Sequence, residues 1–261
     1  MRLLFPIISY LSYYLKAVNE HSLHSPFIYD FYTNIVKPHK MYYAFDKIES
    51  YRKQYLQQQE IVHLNELGAG SHHNSSLDRS IGDIAKHSLS SSKLSQLLFK
   101  IIHHFQFQTV IELGTSLGIN SLYMEAANPA GKVFTFEGSE SMIEKSLELF
   151  EQANISNIQI IQGNIDEQLP LFLNKIDKLD LVYFDANHGY EPTLKYFEWC
   201  IPKIHEQSVF MIGDIYWSKE MRLAWKDIQL HPNVMLTLDL YEAGVVFFRN
   251  QPQKQHFVLD F

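Results

Sequence analysis

The sequence predicts an α/β protein: a doubly wound, mostly parallel seven-stranded sheet ending in an antiparallel hairpin, preceded by an N-terminal helical and irregular extension. Three observations lead there. After Lys93, short β-rich runs alternate with amphipathic stretches of helix length, which implies right-handed crossovers and a parallel sheet covered on both faces. The last two runs, Met235 to Leu240 and Val245 to Arg249, are separated only by Tyr241 to Gly244, so they must pair antiparallel. A chain of 261 residues can bury a full core, which suits one catalytic domain over 93–261 with a helical and loop segment over 1–92.

From the beginning, Leu3 to Leu15 is apolar and aromatic and follows Arg2. It has no small-residue cleavage site, is interrupted by Pro6 and by Ser and Tyr between Ser9 and Tyr13, and is too short to span a bilayer. It reads as a packed helix, with a light membrane touch as the second reading. Turn signals follow at Pro26, Pro38 and Gly68 to Gly70, and Gln54 to Glu60 reads as a polar helix face or a linker. Helical spacing then runs from Leu94 to His104. Strands are expected at Thr109 to Leu113, Val133 to Phe136, Ile158 to Ile161, Leu179 to Phe184 and Val209 to Ile212. Helices are expected at Ser139 to Ala153, Glu191 to Ile201 and Lys219 to Leu230.

Composition narrows the function classes. Twenty-two basic against 29 acidic side chains give a formal charge of -7, which leaves no positive excess to neutralise a phosphate backbone, so nucleic acid is not expected as a partner. Cys200 is the only cysteine, which excludes an intramolecular disulfide framework and fits the cytoplasm. It follows Trp199 in a helical pattern and reads as packing.

The chemistry concentrates at strand ends. Val110-Ile111-Glu112-Leu113-Gly114-Thr115-Ser116-Leu117-Gly118 is a buried strand turning through glycines into a helix near Asn120. Glycine admits close approach of a ligand, and the helix N-terminus offers N–H groups to a carboxylate. Ser116 stands where a G-x-G-x-x-G motif has its second glycine, which counts against a nicotinamide cofactor. Glu137, 25 residues after Glu112 (137 − 112), ends the next strand in Thr135-Phe136-Glu137-Gly138, where a carboxylate can accept both hydroxyls of a ribose. In Gly163-Asn164-Ile165-Asp166, Asn164 reads either as an adenine contact or as a turn residue. The fourth strand ends in Asp185-Ala186-Asn187-His188-Gly189, a polar cluster at the position where open α/β sheets bind ligands. His188 there suits proton abstraction. The adjacent pairs His72-His73 and His103-His104 lack the i, i+4 spacing of helical metal ligands.

From about Leu94 to Arg249, these motifs resemble the E-x-G-x-x-x-G pattern and strand-end acids of class I S-adenosylmethionine-dependent methyltransferases, within the group of catechol-type O-methyltransferases. The resemblance implies S-adenosyl-L-methionine as cofactor. It places Glu112, Gly114, Ser116 and Ser121 around the methionine end and Glu137 at the ribose, and counts Thr115, Gly118, Asn120, Gly138, Ser139, Gly163 and Asn187 among the cofactor-binding residues. Asn164 and Ile165 fall at the adenine, with Asp185 beside the transferring methyl. His188, Asp185 and Asp214 are the catalytic candidates, acting on a small-molecule acceptor by in-line transfer, most simply to oxygen. The family's third metal ligand is an Asn after the second acid, and Ile215 stands there. A divalent metal is therefore compatible but not favoured, and no metal ligand is assigned. Leu23-His24-Ser25-Pro26-Phe27 and Glu66-Leu67-Gly68-Ala69-Gly70-Ser71 resemble a bacterial group of methyltransferases without an assigned acceptor. The second reads as a loop over the active site or an ordinary turn. Because every donor motif follows Val110, residues 1–92 are expected to cover the acceptor. Two competing readings are a nicotinamide-dependent oxidoreductase and a non-catalytic binding module of nucleotide fold.

Overall fold

A computed structural model describes residues 4–38, 40–64 and 77–261; the Glu66 to Ser71 cluster and the His72-His73 pair lie outside them. In chain order the elements are α1 (Leu4–Tyr14), α2 (Pro26–Phe31), α3 (Tyr43–Gln57), β1 (Ile61–His63), β2 (Asp78–Ser80), α4 (Ile81–Ser88), α5 (Ser92–Phe105), β3 (Thr109–Leu113) and α6 (Ile119–Ala127). There follow β4 (Lys132–Glu137), α7 (Glu140–Ala153), β5 (Ile158–Gln162), α8 (Ile165–Leu173), β6 (Leu181–Phe184), α9 (Tyr190–Cys200), β7 (Val209–Gly213), α10 (Lys219–Leu230), β8 (Leu236–Asp239), β9 (Ala243–Phe247) and β10 (Gln255–Val258). They form two compact units, 40–175 and 1–39 with 176–261. None of the described helices is long and apolar enough to cross a membrane.

In the unit 40–175, β3, β4 and β5 pair in parallel in that order. Helix α5 supports them with an apolar stripe, Leu94, Leu97, Leu98, Ile101 and Ile102, all buried, which is the i, i+3, i+4 spacing of one helix face. Ser91 caps its start by accepting from the Leu94 N–H, and Gln106 closes it in a left-handed conformation. Helix α8 follows β5 and supplies the helix that the strand and helix alternation implies there, with Pro170 inside it. The stretch 40–92 is not irregular: α3, the antiparallel β1–β2 pair and α4 occupy most of its described part.

In the other unit, β6 and β7 are parallel, β9 pairs antiparallel with β7 and β8, and β10 runs parallel to β8. Strands β6, β7 and β9 are buried at every residue, the signature of interior strands. Among the described residues, β3 to β10 make eight strands against the seven expected, apart from the β1–β2 pair. The extra one, β10, is a short, largely exposed edge strand after the polar Gln251 to Gln255 run, with no apolar alternation to announce it. The hairpin is tighter than expected, since Ala243 and Gly244 already pair with Gly213 and Ile212 of β7. Gly244 reads as a turn residue in sequence, yet it lies in the strand because a Cβ there would collide with the Trp225 indole. The turn itself uses Tyr241, at φ 68°.

The first residues of the chain pack on its last ones. Tyr13 on α1 donates its hydroxyl to the Leu259 carbonyl at 2.6 Å and accepts from the Phe261 N–H at 3.0 Å. Pro26 occupies the first turn of α2. Phe27 meets Phe247 edge-on, and the Arg249 guanidinium lies 3.7 Å from its ring centre. Of the His-Ser-Pro-Phe fragment, Phe27 is thus built into packing, while His24 and Pro26 are exposed. Cys200 is fully buried, and burial pushes its thiol well above the usual range, as packing requires.

Candidate functional site

In the unit 40–175 the loop Gly114 to Gly118 alternates handedness: Gly114, Ser116 and Gly118 have φ of 103°, 49° and 77°. Such alternation curls the backbone tightly from β3 into α6, with the Gly114 and Thr115 N–H groups on the Phe136 carbonyl and the Gly118 N–H on the Thr115 carbonyl. Ser116 therefore occupies a left-handed position that favours glycine. At Gly118 an added Cβ would come within 2.8 Å of the Phe150 ring, so both conformation and space demand glycine.

The side chains around the loop are turned inward. Glu112 is fully buried; it accepts from Ser121 and, at 2.6 Å, from Thr135, whose hydroxyl also meets Thr115 at 2.6 Å. Asn120 donates to Ser90 at 2.9 Å and accepts from Ser95 at 2.6 Å. Glu112, Asn120 and Ser121, expected at the methionine end, are all held by neighbouring side chains of this unit.

Glu137 at the end of β4 ties the next loop to this one. Its carboxylate accepts from Ser116 N–H at 2.8 Å and from Gly138 and Ser139 N–H, both at 2.9 Å. Burial pushes this carboxyl above the usual range, opposed by those amides. A carboxylate has about four lone-pair sites, so capacity remains for a ligand hydroxyl. Gly163, at φ 125°, follows β5, and its N–H reaches the Glu137 carbonyl at 2.9 Å. Asn164 caps α8 by accepting from the Asp166 N–H at 3.0 Å, and Ile165 is buried; this side-chain oxygen serves the helix.

Sequence reasoning missed a second layer behind the loop. Arg52 on α3 donates to Ser95 at 3.1 Å, to the Ser90 carbonyl at 2.8 Å and to Glu49 at 2.9 Å. Glu49 also accepts from Ser92 at 2.6 Å and from Tyr123 of α6 at 2.9 Å. Burial works against the Glu49 charge, yet the Ser92 bond and the Arg52 charge and bond hold its carboxyl below the usual range. Residues 40–92 thus reach the donor motif through Asn120. The available signal was the pair Glu49 and Arg52 at helical i, i+3 spacing.

In the other unit, Asp185 and His188 follow β6 and Asp214 follows β7. The His188 Nε2 lies 3.9 Å from Asp185 and 3.4 Å from Asp214, and one ligand atom from each of the three falls within 4.8 Å of the others. Asn187 and Asp214 both hold left-handed φ, 51° and 54°, uncommon for non-glycine residues and concentrated at functional sites. Asn187 donates to the Tyr196 hydroxyl at 2.7 Å. A Cβ on Gly213 would come within 2.9 Å of the Asp185 carboxylate. Two carboxylates and an imidazole are a fitting donor set for a divalent cation of the zinc or manganese kind. Ile215, where the family has its third ligand, is wholly buried.

Two further residues sustain the Asp214 loop and were not singled out in sequence. Tyr216 donates to the buried Asp239 at 2.7 Å and stacks on Tyr241 with centroids 5.2 Å apart, while the Asp214 N–H reaches the Glu242 carbonyl at 2.8 Å. Burial pushes the Asp239 carboxyl up despite the Tyr216 and Tyr241 bonds. A lone acid in the apolar run Leu236-Thr237-Leu238-Asp239-Leu240 was the visible signal.

Residues 111–215 match a family model described as a methyltransferase domain. No curated protein sequence matches the chain. Among solved structures, the chain is similar to the methyltransferase PaMTH1 of Podospora anserina bound to SAH, at 12% identity and TM-score 0.61, over 82% of this chain and 91% of that one. An O-methyltransferase of Bacillus cereus in complex with SAH gives 15% identity and TM-score 0.55 over 84% and 96%. The O-methyltransferase TomG of Streptomyces achromogenes in complex with SAM gives 15% and 0.57 over 84% and 94%. At these identities the likeness is one of fold, and the fold is that of the class I methyltransferases.

Proposed function

We propose, from a methyltransferase domain set in the class I fold, that the chain moves the methyl group of S-adenosylmethionine to an oxygen of a small-molecule acceptor. The observation that carries this reading is the Gly114 to Gly118 loop, whose alternating backbone turns β3 into the N-terminus of α6, braced by Glu112 and Asn120 and tied to Glu137. Bound there, S-adenosylmethionine supplies an electrophilic methyl on its sulfonium. The N–H groups that open α6 would hold the donor's carboxylate, and Glu137 would accept from a ribose hydroxyl.

For the acceptor we assign His188 as the base that takes its hydroxyl proton, with Asp214 and Asp185 stabilising the imidazolium that forms. Orientation supplies most of the acceleration in such an in-line transfer. A cytoplasmic site of action fits the single buried cysteine. A screen of donor consumption over phenolic, carboxylic and hydroxyl acceptors tests the assignment: oxygen acceptors are expected to be consumed, and turnover confined to amines would overturn it. A second reading has His188, Asp185 and Asp214 hold a divalent cation, favoured by their spacing of under 4.8 Å. Our reading expects turnover to survive exhaustive chelation; activity lost to the chelator and restored by manganese or zinc would replace it with the second.

A further inference from the structure

His188 stands at the tip of a tight turn that Asn187 holds from two sides. The Asn187 carbonyl accepts from the Gly189 N–H at 2.6 Å, which closes the backbone around His188 in the manner of a γ-turn. The Asn187 side chain turns away and donates to the Tyr196 hydroxyl at 2.7 Å. Asn187 itself sits at φ 51°, a left-handed conformation that persists in a residue other than glycine only where its surroundings over-determine it. The two bonds are such surroundings. His188 meets its two carboxylates at 3.9 and 3.4 Å, longer than ordinary hydrogen bonds, so the turn beneath it carries much of its placement.

Tyr196 is built to serve that turn. Thr193, Tyr196, Phe197 and Cys200 are the buried residues of α9, at the i, i+3, i+4, i+7 spacing of one helix face, and Tyr196 is 2% exposed. Phenylalanine would fill such a position with no polar atom to satisfy, whereas a buried tyrosine hydroxyl needs a partner. Asn187 supplies one. The ring is held independently of that bond, with the Trp199 centroid at 5.8 Å and the Lys195 ammonium 5.5 Å from its centre. A fixed residue of the helix thus reaches, through Asn187, the residue that carries the imidazole.

We infer that Tyr196 is a positioning residue for the His188 base, acting through Asn187. The inference rests on the reading of His188 as that base. The His188 and Trp217 ring centroids lie 6.3 Å apart, so an NOE between the two rings reads the placement of His188 without turnover, its signals identified by their loss in His188→Gln. Tyr196→Phe keeps the ring and removes the hydroxyl; Asn187→Gly keeps the left-handed φ without strain and removes the amide. Each variant is expected to fold, to weaken the NOE about twofold or more, and to lower kcat on an oxygen acceptor about 10- to 100-fold with the donor KM within about twofold, the scale of a misplaced group. Asn187→Asp, which tolerates the same φ and can accept from the Tyr196 hydroxyl, is expected to keep the NOE. An undiminished NOE or a wild-type kcat in both variants, a lowered Tm as the only change, or no NOE in the wild-type chain would overturn the inference. If no oxygen acceptor is turned over, the proposed reaction fails, and the NOE alone then decides whether Tyr196 places His188.

Discussion

Around the β3–α6 loop, polar side chains bond to one another at 2.6 to 3.1 Å: Glu112 with Thr135, Asn120 with Ser95 and Ser90, Arg52 with Ser95. After β6 and β7, the His188 ring stands 3.4 and 3.9 Å from its two carboxylates, longer than ordinary hydrogen bonds, and Asp214 is half exposed. The first arrangement fixes backbone for a ligand of constant shape. The second brings an imidazole and two carboxylates near one another, which suits the proton transfer proposed for His188. The contrast teaches that the donor region should respond to substitution through folding and affinity, and the acid and histidine cluster through turnover.

The largest expected effect breaks the comparison at its loosely held side. His188→Ala should lower turnover by about 10²- to 10⁴-fold, the scale of general-base catalysis, while leaving S-adenosylhomocysteine affinity within twofold. Normal turnover with a lowered Tm would reassign His188 to packing. On the rigid side, Gly118→Ala should destabilise the fold by about 2 to 4 kcal/mol, from left-handed strain and the clash with Phe150. Urea unfolding with an unchanged midpoint would show that the loop yields.

Glu137→Ala is expected to weaken S-adenosylhomocysteine binding by about 1.5 to 3 kcal/mol, the range for hydrogen bonds to a charged group; calorimetry on the folded variant reads this directly. The raised carboxyl adds a pH dependence. Protonation removes acceptor capacity, so affinity should be full at neutral pH and fall as the pH drops, beginning above an ordinary glutamate's range. Glu137→Gln should flatten that decline, and an unaltered decline would assign it to another group. The smallest effect belongs to His24→Ala, whose exposed side chain lies outside the donor motif: donor affinity should not change, and its loss in a folded variant would end the separation of roles.

The strand-helix array was legible because its pattern is dense. Thr109–Leu113 and Lys219–Leu230 agree with the sequence reading residue for residue, since buried strands and capped helices write their period into few residues. What escaped has a physical reason in each case. Gly244 lies against the Trp225 ring and not in a turn, and β10 gains its place by pairing with β8. The candidate site was legible as motif residues but not as roles. That Glu112 and Ser121 face inward depends on partners 23 and 9 positions away, and the Glu49–Arg52 brace acts through residues up to 74 positions distant.

The most direct test of the account is a calorimetric titration of the full chain with S-adenosylhomocysteine and, in parallel, with NADH. The account expects micromolar or tighter binding of the first and no heat from the second. Saturable NADH binding with none of S-adenosylhomocysteine would contradict it.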